Sequence, residues 1–600
     1  MQQVSTPSTV VVSEKASLVD SLLDYRRERP DLQLFRRRIN GRWTPITARR
    51  FADEVDAVAR GLIASGVAGG DRVAILSSTR YEWTVLDYAV WRVGATTVAI
   101  YETSASDQVK WILEDSASSL LVVENSAHHD AHADVVSAAP DLRDTLLIDA
   151  GPDGTGAIDE LTRRGADIGE DELDQRHSNA LSSNVATLIY TSGTTGNPKG
   201  VTLTHANFLA ETRNVHETVG EMMSEGASTL LFLPLAHVFA RIIAVASVEN
   251  RVILGHTNDI ANLLDDLAAF QPTYLLSVPR VFEKVYNSAK QKAYDGGKGK
   301  IFDAAADVAI EYSKALETGG PGLVLKAKHT LFARLVYSKL LAALGGRCED
   351  ALSGGAPLGA RLGHFFRGIG LPIYEGYGLT ETTAAVTLNR PGAQRVGTVG
   401  KPVAGQSVAI ADDGEVLLKG SVVFDGYWHN ESATADALRD GWFHTGDIGT
   451  LDDGYLTITG RKKELIVTAG GKNVSPAPLE DSIRAHPMVS QCLVVGDNRP
   501  FIAALVTIDP EAVPGWLERH EMSSDTSLTE LATDERLIAE IDEAVTAANK
   551  KVSKAEAIKK FRVLDTDFTI ESGALTPTMK LKRNVIHRDH ADLIDKLYTR

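Results

Sequence analysis

Hydrophobic positions in the first 180 or so residues follow two alternating spacings. Arg49 to Gly66 carries apolar residues at helical spacing and ends in glycine, whereas Asp71 to Ser78 is a short apolar run that indicates a buried strand. Such an alternation of helices and strands is typical of layered α/β proteins. We therefore expect an α/β fold built of layered βα subdomains in the N-terminal part.

The pattern changes in the last third of the chain. From about Gly405, short strand-like runs are separated by Asp-Gly turns, which predicts a small β-barrel-like subdomain. After Arg461 come a helix candidate, two strand candidates and an acidic helical region, which suit a compact α+β unit. We therefore expect a large N-terminal domain over residues 1–460 and a small α+β domain over residues 461–600.

Two apolar stretches could contact a membrane or a protein core. Leu230 to Val248 has nearly the length of a membrane span, but Pro234, His237 and Arg241 lie near its middle, which favours a buried core segment. Lys326 to Arg347 is basic and amphipathic, with apolar residues at helical spacing. It could lie on a membrane surface, although an ordinary core-facing helix is the favoured interpretation.

Composition narrows the class of protein. The 600 residues contain 62 Lys and Arg against 79 Asp and Glu, and this net charge of −17 argues against a nucleic-acid binder that works by neutralising phosphates. The two cysteines, Cys348 and Cys492, exclude a disulfide framework or a cysteine-based metal cluster. The N-terminus lacks a secretory pattern, so we expect a cytoplasmic protein, with peripheral contact at the inner membrane face left open.

One loop has the composition of a phosphate site. Tyr190 to Gly200 reads YTSGTTGNPKG and lies between two β-rich runs. Its glycines let backbone N–H groups approach an anion, its hydroxyls add donors, and Lys199 adds a positive charge. No Gly-Lys-Ser/Thr leads into a helix, so the loop is not a Walker A motif. The segment therefore predicts a polyphosphate-binding loop.

Five further motifs follow this loop in a fixed order. With the loop, the chain resembles the adenylate-forming enzymes, a superfamily that includes acyl-CoA synthetases, luciferases and nonribosomal-peptide adenylation domains. GWFHTGDIG followed by GRKK is most similar to long-chain fatty-acyl-CoA synthetases, and the Ala-, Arg- and Asp-rich composition suggests the actinobacterial branch. The motifs after the loop are SGGAPL (353–358), YEGYGLTET (374–382), GWFHTGDIG (441–449), GRKKELIVTAGGKNVSP (460–476) and LTPTMKLKR (575–583).

The resemblance implies a two-step reaction. A fatty carboxylate attacks the α-phosphorus of ATP, pyrophosphate leaves, and the thiol of coenzyme A then attacks the acyl-adenylate. ATP, Mg²⁺, coenzyme A and a long-chain fatty acid are the implied small molecules. Two alternatives stay open: a fatty-acyl-AMP ligase that transfers the acyl group to a carrier protein, and a non-catalytic nucleotide or lipid sensor with the same fold.

The resemblance also implies roles for individual nucleotide-binding residues. Mg²⁺ would bind Glu381 and Thr194, Thr380 would contact the α-phosphate, and Asp447 and Arg461 would bind the ribose. Tyr377 would stack on one face of adenine, with bare backbone on the other. The phosphate residues implied are Thr191, Ser192, Gly193, Thr194, Thr195, Gly196 and Lys199, and the backbone against adenine is Gly354, Gly355 and Ala356.

The C-terminal motifs imply a mobile domain that carries a catalytic lysine. Lys580 is the candidate that bridges the carboxylate and the α-phosphate; Met579 precedes it where relatives often have glycine, and Lys582 is a competing candidate. His237 would lie near the acyl site. The implied hinge residue is Lys463, and the residues along the pantetheine path are Gly470 and Gly471.

Overall fold

A six-stranded sheet forms the first layer of the protein. The computed structural model describes residues 2–151, 154–191, 197–576 and 579–599. In this sheet five parallel strands are followed by one antiparallel edge strand. In spatial order the strands are Asp144–Leu147, Leu120–Val123, Arg72–Leu76, Thr96–Ile100, Val185–Thr191 and Lys199–Thr204.

A second sheet supplies the other wall of the N-terminal part. Its first three strands are parallel, so their carboxyl ends meet at one edge, where open α/β sheets bind ligands. The strands are, in spatial order, Tyr274–Ser277, Asp350–Ser353, Ile373–Tyr377, Thr387–Leu388 and Lys401–Pro402.

Two further sheets complete this part. A mixed sheet contains Ser228–Leu231, Ile253–His256, Gln33–Ile39 and Arg42–Thr47. The predicted β-rich subdomain is an antiparallel sheet joined by a strand from the start of the chain. Its strands are Gln2–Ser5, Gln406–Ile410, Glu415–Gly420, Leu438–Arg439, Trp442–Asp452 and Tyr455–Arg461.

Helices pack between and around these sheets. The helix predicted over 49–66 runs from Ala48 to Ala64, and Thr47 accepts a hydrogen bond from the Arg50 N–H at its start. The remaining N-terminal helices are Asp20–Glu28, Tyr81–Arg92, Ser106–Ser116, Ser126–Ala131, Ala133–Ser137, Ala157–Arg164, Glu170–Ser178, His205–Val219, Val238–Glu249, Leu263–Phe270, Pro279–Asp295, Gly299–Glu317, Leu323–Phe332, Ser338–Ala343, Ala360–Ile369 and Glu431–Ala437.

The C-terminal part is an α+β unit, as predicted. A three-stranded sheet carries one apolar cluster on each face. A short hairpin of Ile466–Val467 and Asn473–Val474 precedes it. The sheet strands are Val489–Val495, Ile502–Ile508 and Ile558–Leu564, and the helices are Ala477–Arg484, Val513–Arg519, Leu528–Leu531, Glu535–Asn549, Arg583–Asp589 and Ala591–Tyr598.

The apolar cores of the two parts are separate. The largest cluster of buried side chains ends at Leu456, and the first C-terminal cluster begins at Ile466. The predicted domain boundary between residues 460 and 461 lies within this interval. The boundary residue itself stays a prediction.

The two ambiguous apolar stretches have different structures. Leu230 to Val248 is divided between a strand and the helix Val238–Glu249, and nearly all of its residues are buried, as the core interpretation predicts. In the second stretch Leu340 is buried but Leu335 is half exposed, so the core-facing interpretation is wrong for that residue. Within the described residues, no helix combines the length and the apolar character that a membrane crossing requires.

Buried Arg241 connects the helix Val238–Glu249 to the helix Tyr81–Arg92 and to the first sheet. Arg241 donates to Asp87 at 2.8 Å and to the Thr187 hydroxyl at 2.9 Å. Burial raises the pKa of Asp87, and the Arg241 charge opposes that rise. Because removing one partner would leave a buried charge unpaired, the ion pair fixes the helix against Tyr81–Arg92, and the Thr187 bond joins it to the strand that leads into the phosphate loop.

We predict that Gly61→Ala destabilises the N-terminal part by about 1–3 kcal/mol. A Cβ at Gly61 would overlap the backbone carbonyl of Leu161 on a crossing helix, where no flexible side chain can yield. Gly169→Ala is the matched control, because a Cβ there meets nothing within 4 Å. Thermal unfolding of both variants measures the difference, and equal melting temperatures would contradict the close helix contact.

Candidate active site

A cleft of about 2670 Å³ lies between the two parts of the chain, at the carboxyl ends of the parallel strands. It brings together most of the residues with predicted roles, although they are distant in sequence. The predicted residues that line it are Thr191, Lys199, His237, Gly354, Gly355, Ala356, Tyr377, Thr380, Glu381, Asp447, Arg461, Lys463, Lys580 and Lys582.

The phosphate loop joins two antiparallel strands, as its flanking β-rich runs predict. The loop residues Ser192, Gly193, Thr194, Thr195 and Gly196 lie outside the described residues. Thr191 and Lys199 are directly opposite each other in the strand pair.

Side chains fix the two ends of this loop. Before it, the Tyr190 hydroxyl donates to Asp115 at 2.6 Å. After it, the Trp111 indole N–H donates to the Pro198 carbonyl at 2.9 Å. Burial raises the pKa of Tyr190, and its bond to Asp115 raises it further, so the phenol keeps its proton. The strand ends are therefore held in place from both sides.

Glu381 presents a carboxylate to the cleft from a short 3₁₀ turn, Thr380–Thr382. One of its oxygens accepts a hydrogen bond of 2.8 Å from the Tyr427 hydroxyl. Burial, followed by the nearby Glu381 charge, raises the pKa of Tyr427. The Tyr427 ring also lies 4.9 Å from the Lys199 ammonium, which connects the end of the phosphate loop to the predicted metal ligand.

This donor set fits Mg²⁺ bound mainly through a nucleotide. Among the described residues no group of three or more His, Cys, Asp or Glu side chains could enclose a metal ion. Mg²⁺ commonly uses one or two carboxylates together with waters and phosphate oxygens. Glu381 is such a carboxylate, whereas Thr194 is not described.

The predicted adenine segment follows directly after the strand Asp350–Ser353. Gly355 has φ +82°, a conformation that favours glycine, and a Cβ on Gly354 would lie 3.3 Å from the Phe239 ring. Gly354, Gly355 and Ala356 therefore expose bare backbone to the cleft. This is the surface that a flat heterocycle requires.

The predicted ribose residues are preorganised around one buried carboxylate. Tyr377 donates its hydroxyl to Asp447 at 2.6 Å, and Arg461 lies 3.1 Å from the other Asp447 oxygen. Asp447 and Arg461 face each other on adjacent antiparallel strands. Burial raises the pKa of Asp447, and the Arg461 charge opposes the rise. A carboxylate has about four acceptor positions, so Asp447 can still accept from a ligand hydroxyl.

Lys580 directly precedes Leu581, which forms an isolated β-bridge with Leu575. The Thr576 N–H donates to the Lys580 carbonyl at 2.8 Å, and the Lys580 N–H donates to the Thr576 hydroxyl at 3.0 Å. Met579 has φ +61°, a backbone conformation that favours glycine, the residue that the resemblance implies before this lysine. Methionine maintains the same turn at a cost in backbone strain.

The Lys580 ammonium faces groups from both parts of the chain. Desolvation lowers its pKa, the Arg461 charge lowers it further, and Asp447 and Glu381 oppose this effect. Burial, followed by the Lys580 charge, lowers the pKa of His237 to about 4. His237 is therefore neutral near neutral pH. It caps the helix Val238–Glu249 by accepting from the Phe239 N–H.

Gly470 and Gly471 do not line the cleft. They belong to the turn of the hairpin Ile466–Val467/Asn473–Val474, where Gly471 has φ +76° and bonds back to the Thr468 carbonyl. In this arrangement Lys580 reaches the cleft and the two glycines lie elsewhere.

Two family profiles match the chain. The profile described as AMP-binding enzyme matches residues 25–428, and the profile described as AMP-binding enzyme C-terminal domain matches residues 463–600. The chain belongs to the AMP-binding enzyme family. The motifs quoted from the sequence had predicted this membership, and it is confirmed.

The chain has relatives that match its full length. It is 53% identical over 601 residues to the long-chain-fatty-acid–CoA ligase FadD15 of Mycobacterium bovis and of Mycobacterium tuberculosis, with 100% of each chain covered. It is 32% identical to the long-chain-fatty-acid–CoA ligase ACSBG2 of Gallus gallus, over 93% of this chain and 78% of that protein. The predicted resemblance to actinobacterial long-chain synthetases is thereby confirmed.

Solved structures share the fold. The A domain of a carboxylic acid reductase from Segniliparus rugosus, in complex with AMP and a co-purified carboxylic acid, aligns with a TM-score of 0.74 at 20% identity, covering 98% of this chain and 95% of that one. The anthranilate CoA ligase AuaEII, in complex with anthranoyl-AMP, aligns with a TM-score of 0.72 at 21% identity, covering 98% and 99%. The predicted α/β fold, with a large N-terminal and a small C-terminal domain, is confirmed.

Sequence reasoning did not identify the apolar branch of the cleft in this AMP-binding enzyme. The branch lies along the helix Val238–Glu249, whose N-cap is His237, and it extends to Ala246, about 13 Å along the helix axis. The helix pattern gave no sign that this face would line a cavity. Other apolar residues of the branch are Val215, Met223, Phe232, Ile242, Ile243, Leu276, Leu352 and Leu388.

Sequence reasoning also did not identify the role of Arg583. It donates to Glu480 at 2.8 and 2.5 Å and to Glu464 at 3.3 Å. Burial by itself lowers the pKa of Arg583, but the charges of Glu480 and Glu464 outweigh this and raise it. This residue lies three positions after Lys580, so the ion pairs anchor the lysine loop to the body of the C-terminal domain.

We predict that Glu375→Gln stabilises the protein at alkaline pH. Burial raises the pKa of Glu375 to about 7 from the usual 4.5, although its bond from the Leu358 N–H (3.0 Å) opposes the rise. The folded state therefore binds this proton more tightly than the unfolded state, and stability falls as pH rises from 4.5 to 7. Glutamine keeps the acceptor without the charge.

The gain in the free energy of unfolding over the wild type should be small near pH 5 and increase through neutrality. Above that it should stay constant, at no more than about 3 kcal/mol. Denaturant midpoints across this pH range measure it. The exposed Glu349→Gln serves as the matched control. A gain of the same size at every pH would contradict a buried, proton-binding Glu375.

Proposed function

We propose that this protein is an ATP-dependent long-chain fatty acid:CoA ligase that works through an acyl-adenylate. The observation that carries the proposal is that the apolar branch opens into the same cleft as Lys580, Glu381 and the Asp447–Arg461 pair. A fatty acid in that branch would have its carboxylate beside the α-phosphate of a nucleotide. The full-length similarity to FadD15 supports the same activity and the same substrates.

In the first step a carboxylate oxygen of the acid attacks the α-phosphorus of ATP. The bond to the bridging oxygen breaks, and pyrophosphate leaves with that electron pair. Charge develops on the phosphate oxygens, so preorganised donors contribute most to the rate. We assign Thr191, Lys199 and the intervening loop to the β- and γ-phosphates, and Thr380 to the α-phosphate. Mg²⁺ held near Glu381 would neutralise phosphate charge.

Lys580 has a different part in this step. Its ammonium would bridge the acid carboxylate and the α-phosphate, two anions that otherwise repel each other at the point of attack. Its lowered pKa is consistent with a site where desolvation and Arg461 disfavour the cation until these anions bind. Neutral His237, at the N-cap of the helix that lines the apolar branch, can orient the carboxylate without adding charge.

The nucleoside would lie between two surfaces of the large domain. Adenine would pack against Gly354, Gly355 and Ala356, with Tyr377 on its other face, and Asp447 would accept from the ribose hydroxyls. Arg461 would donate to the same sugar. In each case the donor or acceptor is held by the protein before the ligand arrives, which limits the ordering cost of binding.

In the second step the thiolate sulfur of coenzyme A attacks the acyl carbonyl and AMP leaves. Lys580 must first withdraw, so we propose that the domain after residue 460 rotates about Lys463. Gly470 and Gly471 would then line the pantetheine path, where missing side chains allow close passage. In the present arrangement they do not line the cleft, so a rotation would have to bring them there. Contact with a membrane at the inner face of the cell stays a prediction.

Incubation with palmitate, ATP, Mg²⁺ and coenzyme A tests the function. We expect pyrophosphate release that depends on the acid and the formation of palmitoyl-CoA, because both half-reactions share one cleft. Acyl-adenylate without thioester would favour transfer to a carrier protein instead. No pyrophosphate release with any carboxylate from acetate to a C20 acid would indicate a non-catalytic sensor.

We predict that Lys580→Ala lowers adenylation by at least about 100-fold, because it removes a charge that acts at the transition state. Conversion of supplied acyl-AMP to acyl-CoA should persist, since the second step needs Lys580 out of the cleft. Lys582→Ala is the matched control and should retain adenylation. Pyrophosphate release and acyl-CoA formation are measured separately. Equal loss in both half-reactions, or a larger loss in Lys582→Ala, would refute the assignment.

A further inference from the structure

A surface segment of the large domain has no packing partner on its outer face. This outer segment, residues 323–343, consists of the helix Leu323–Phe332, a π-helical turn at Ala333–Tyr337 and the helix Ser338–Ala343. The helix Leu323–Phe332 contains no buried residue. A helix of a globular protein normally buries one apolar stripe, so its outward apolar residues require an explanation.

The inner face of the outer segment is firmly attached to the protein. Tyr337 donates its hydroxyl to the Ala305 carbonyl at 2.7 Å. The His329 ring bonds the Gly368 carbonyl at 2.6 Å and stacks on Tyr312, with 3.8 Å between ring centroids. The orientation of the helix is therefore fixed, and its outer face points away from the core.

The outer face is apolar. Val324, Leu331 and Leu335 are spaced by seven and four residues, which places them on one side of a helix, and they are 73%, 56% and 50% exposed. Leu323, next to them, is 86% exposed. Single exposed leucines are ordinary, but several exposed apolar residues on one side of a helix, with Lys328 between Val324 and Leu331, mark an interaction surface.

The outer segment and the residues on either side of it carry an unusual charge for this chain. Residues 318–348 contain no acid, whereas the whole protein has a net charge of −17. Among the described residues none of the basic side chains in this interval has an ion-pair partner, and all of them are exposed; Glu311 on a neighbouring helix borders the segment. These basic residues are Lys326, Lys328, Arg334, Lys339 and Arg347.

We propose that the outer segment docks on the surface of a bilayer that contains anionic phospholipid. An apolar stripe flanked by Lys and Arg is the pattern of helices that lie in the membrane interface, with leucines among the acyl chains and cations at the head groups. The rest of the acidic protein is repelled by such a surface. A basic face on an acidic protein would set the orientation of docking as well as its strength.

A second copy of the chain fits this face less well than an anionic bilayer does. Pairing two outer segments would bring two sets of unpaired cations together, which costs free energy at the low dielectric of an interface. The lipid proposal does not depend on the enzymatic proposal, because binding is measured without substrates. If both hold, the enzyme works where long apolar acids accumulate.

Flotation of the full-length protein with vesicles tests the proposal. We expect binding to vesicles of phosphatidylcholine mixed with phosphatidylglycerol, weak binding to phosphatidylcholine alone, and loss of binding at high salt. The double variant Lys328→Gln/Lys339→Gln should weaken partitioning about 25-fold, because the loss of each charge weakens it roughly fivefold. Leu331→Ser/Leu335→Ser should also weaken it by at least about tenfold.

Matched controls carry the same changes elsewhere on the surface. Lys554→Gln/Lys559→Gln and Val11→Ser/Leu181→Ser alter exposed residues outside the outer segment and should bind as the wild type does. Equal binding by segment variants and controls would overturn the proposal. Light scattering measures self-association. If the wild type self-associates and only the segment variants lose this, the lipid proposal would be overturned in favour of pairing with a second copy of the chain. Melting temperatures establish that every variant is folded.

Discussion

The buried carboxylate of Asp447 is the constraint from which the rest of the cleft follows. A charge in that position needs compensation, and Arg461 and Tyr377 supply it from opposite sides. Tyr377 ends a strand of the second sheet, whereas Arg461 ends the strand that leads into the C-terminal domain. Satisfying one carboxylate therefore fixes where the small domain leaves the large one, and hence where Lys580 can reach.

Cations and carboxylates share the cleft. Lys580, Arg461 and Lys199 line one continuous space with Asp447 and Glu381. The lowered pKa of Lys580 shows that Arg461 and desolvation outweigh the two carboxylates at that position. A bound triphosphate would place negative charge beside Lys580 and Arg461, and it would relieve the repulsion by which Arg461 lowers the pKa of Lys580.

Local motifs made part of this site predictable. Asp447, Lys580 and the strands around the phosphate loop each follow from a short run of residues whose chemistry can be read directly. The bond from Tyr427 to Glu381 joins residues 46 apart, and the bond from Arg583 to Glu480 joins residues 103 apart. No local pattern encodes such pairs. The outer segment shows a further limit, because its helical spacing indicated an apolar face but not which way Leu335 would point.

The strengths of the two kinds of contact around Lys580 suggest how the small domain moves. Within that domain, buried Glu480 holds Arg583 through two hydrogen bonds, so the lysine loop travels with its own domain. Between the domains, Arg280 meets Asp509 at 3.2 Å in a half-buried pair, and Lys284 meets Glu511 at 2.9 Å at the surface. Exposed pairs contribute about 0–1 kcal/mol, whereas breaking a buried pair costs about 3–5 kcal/mol. We infer that this interface would open before the lysine loop detaches, so the proposed withdrawal of Lys580 would be a rotation of the whole domain rather than local unfolding.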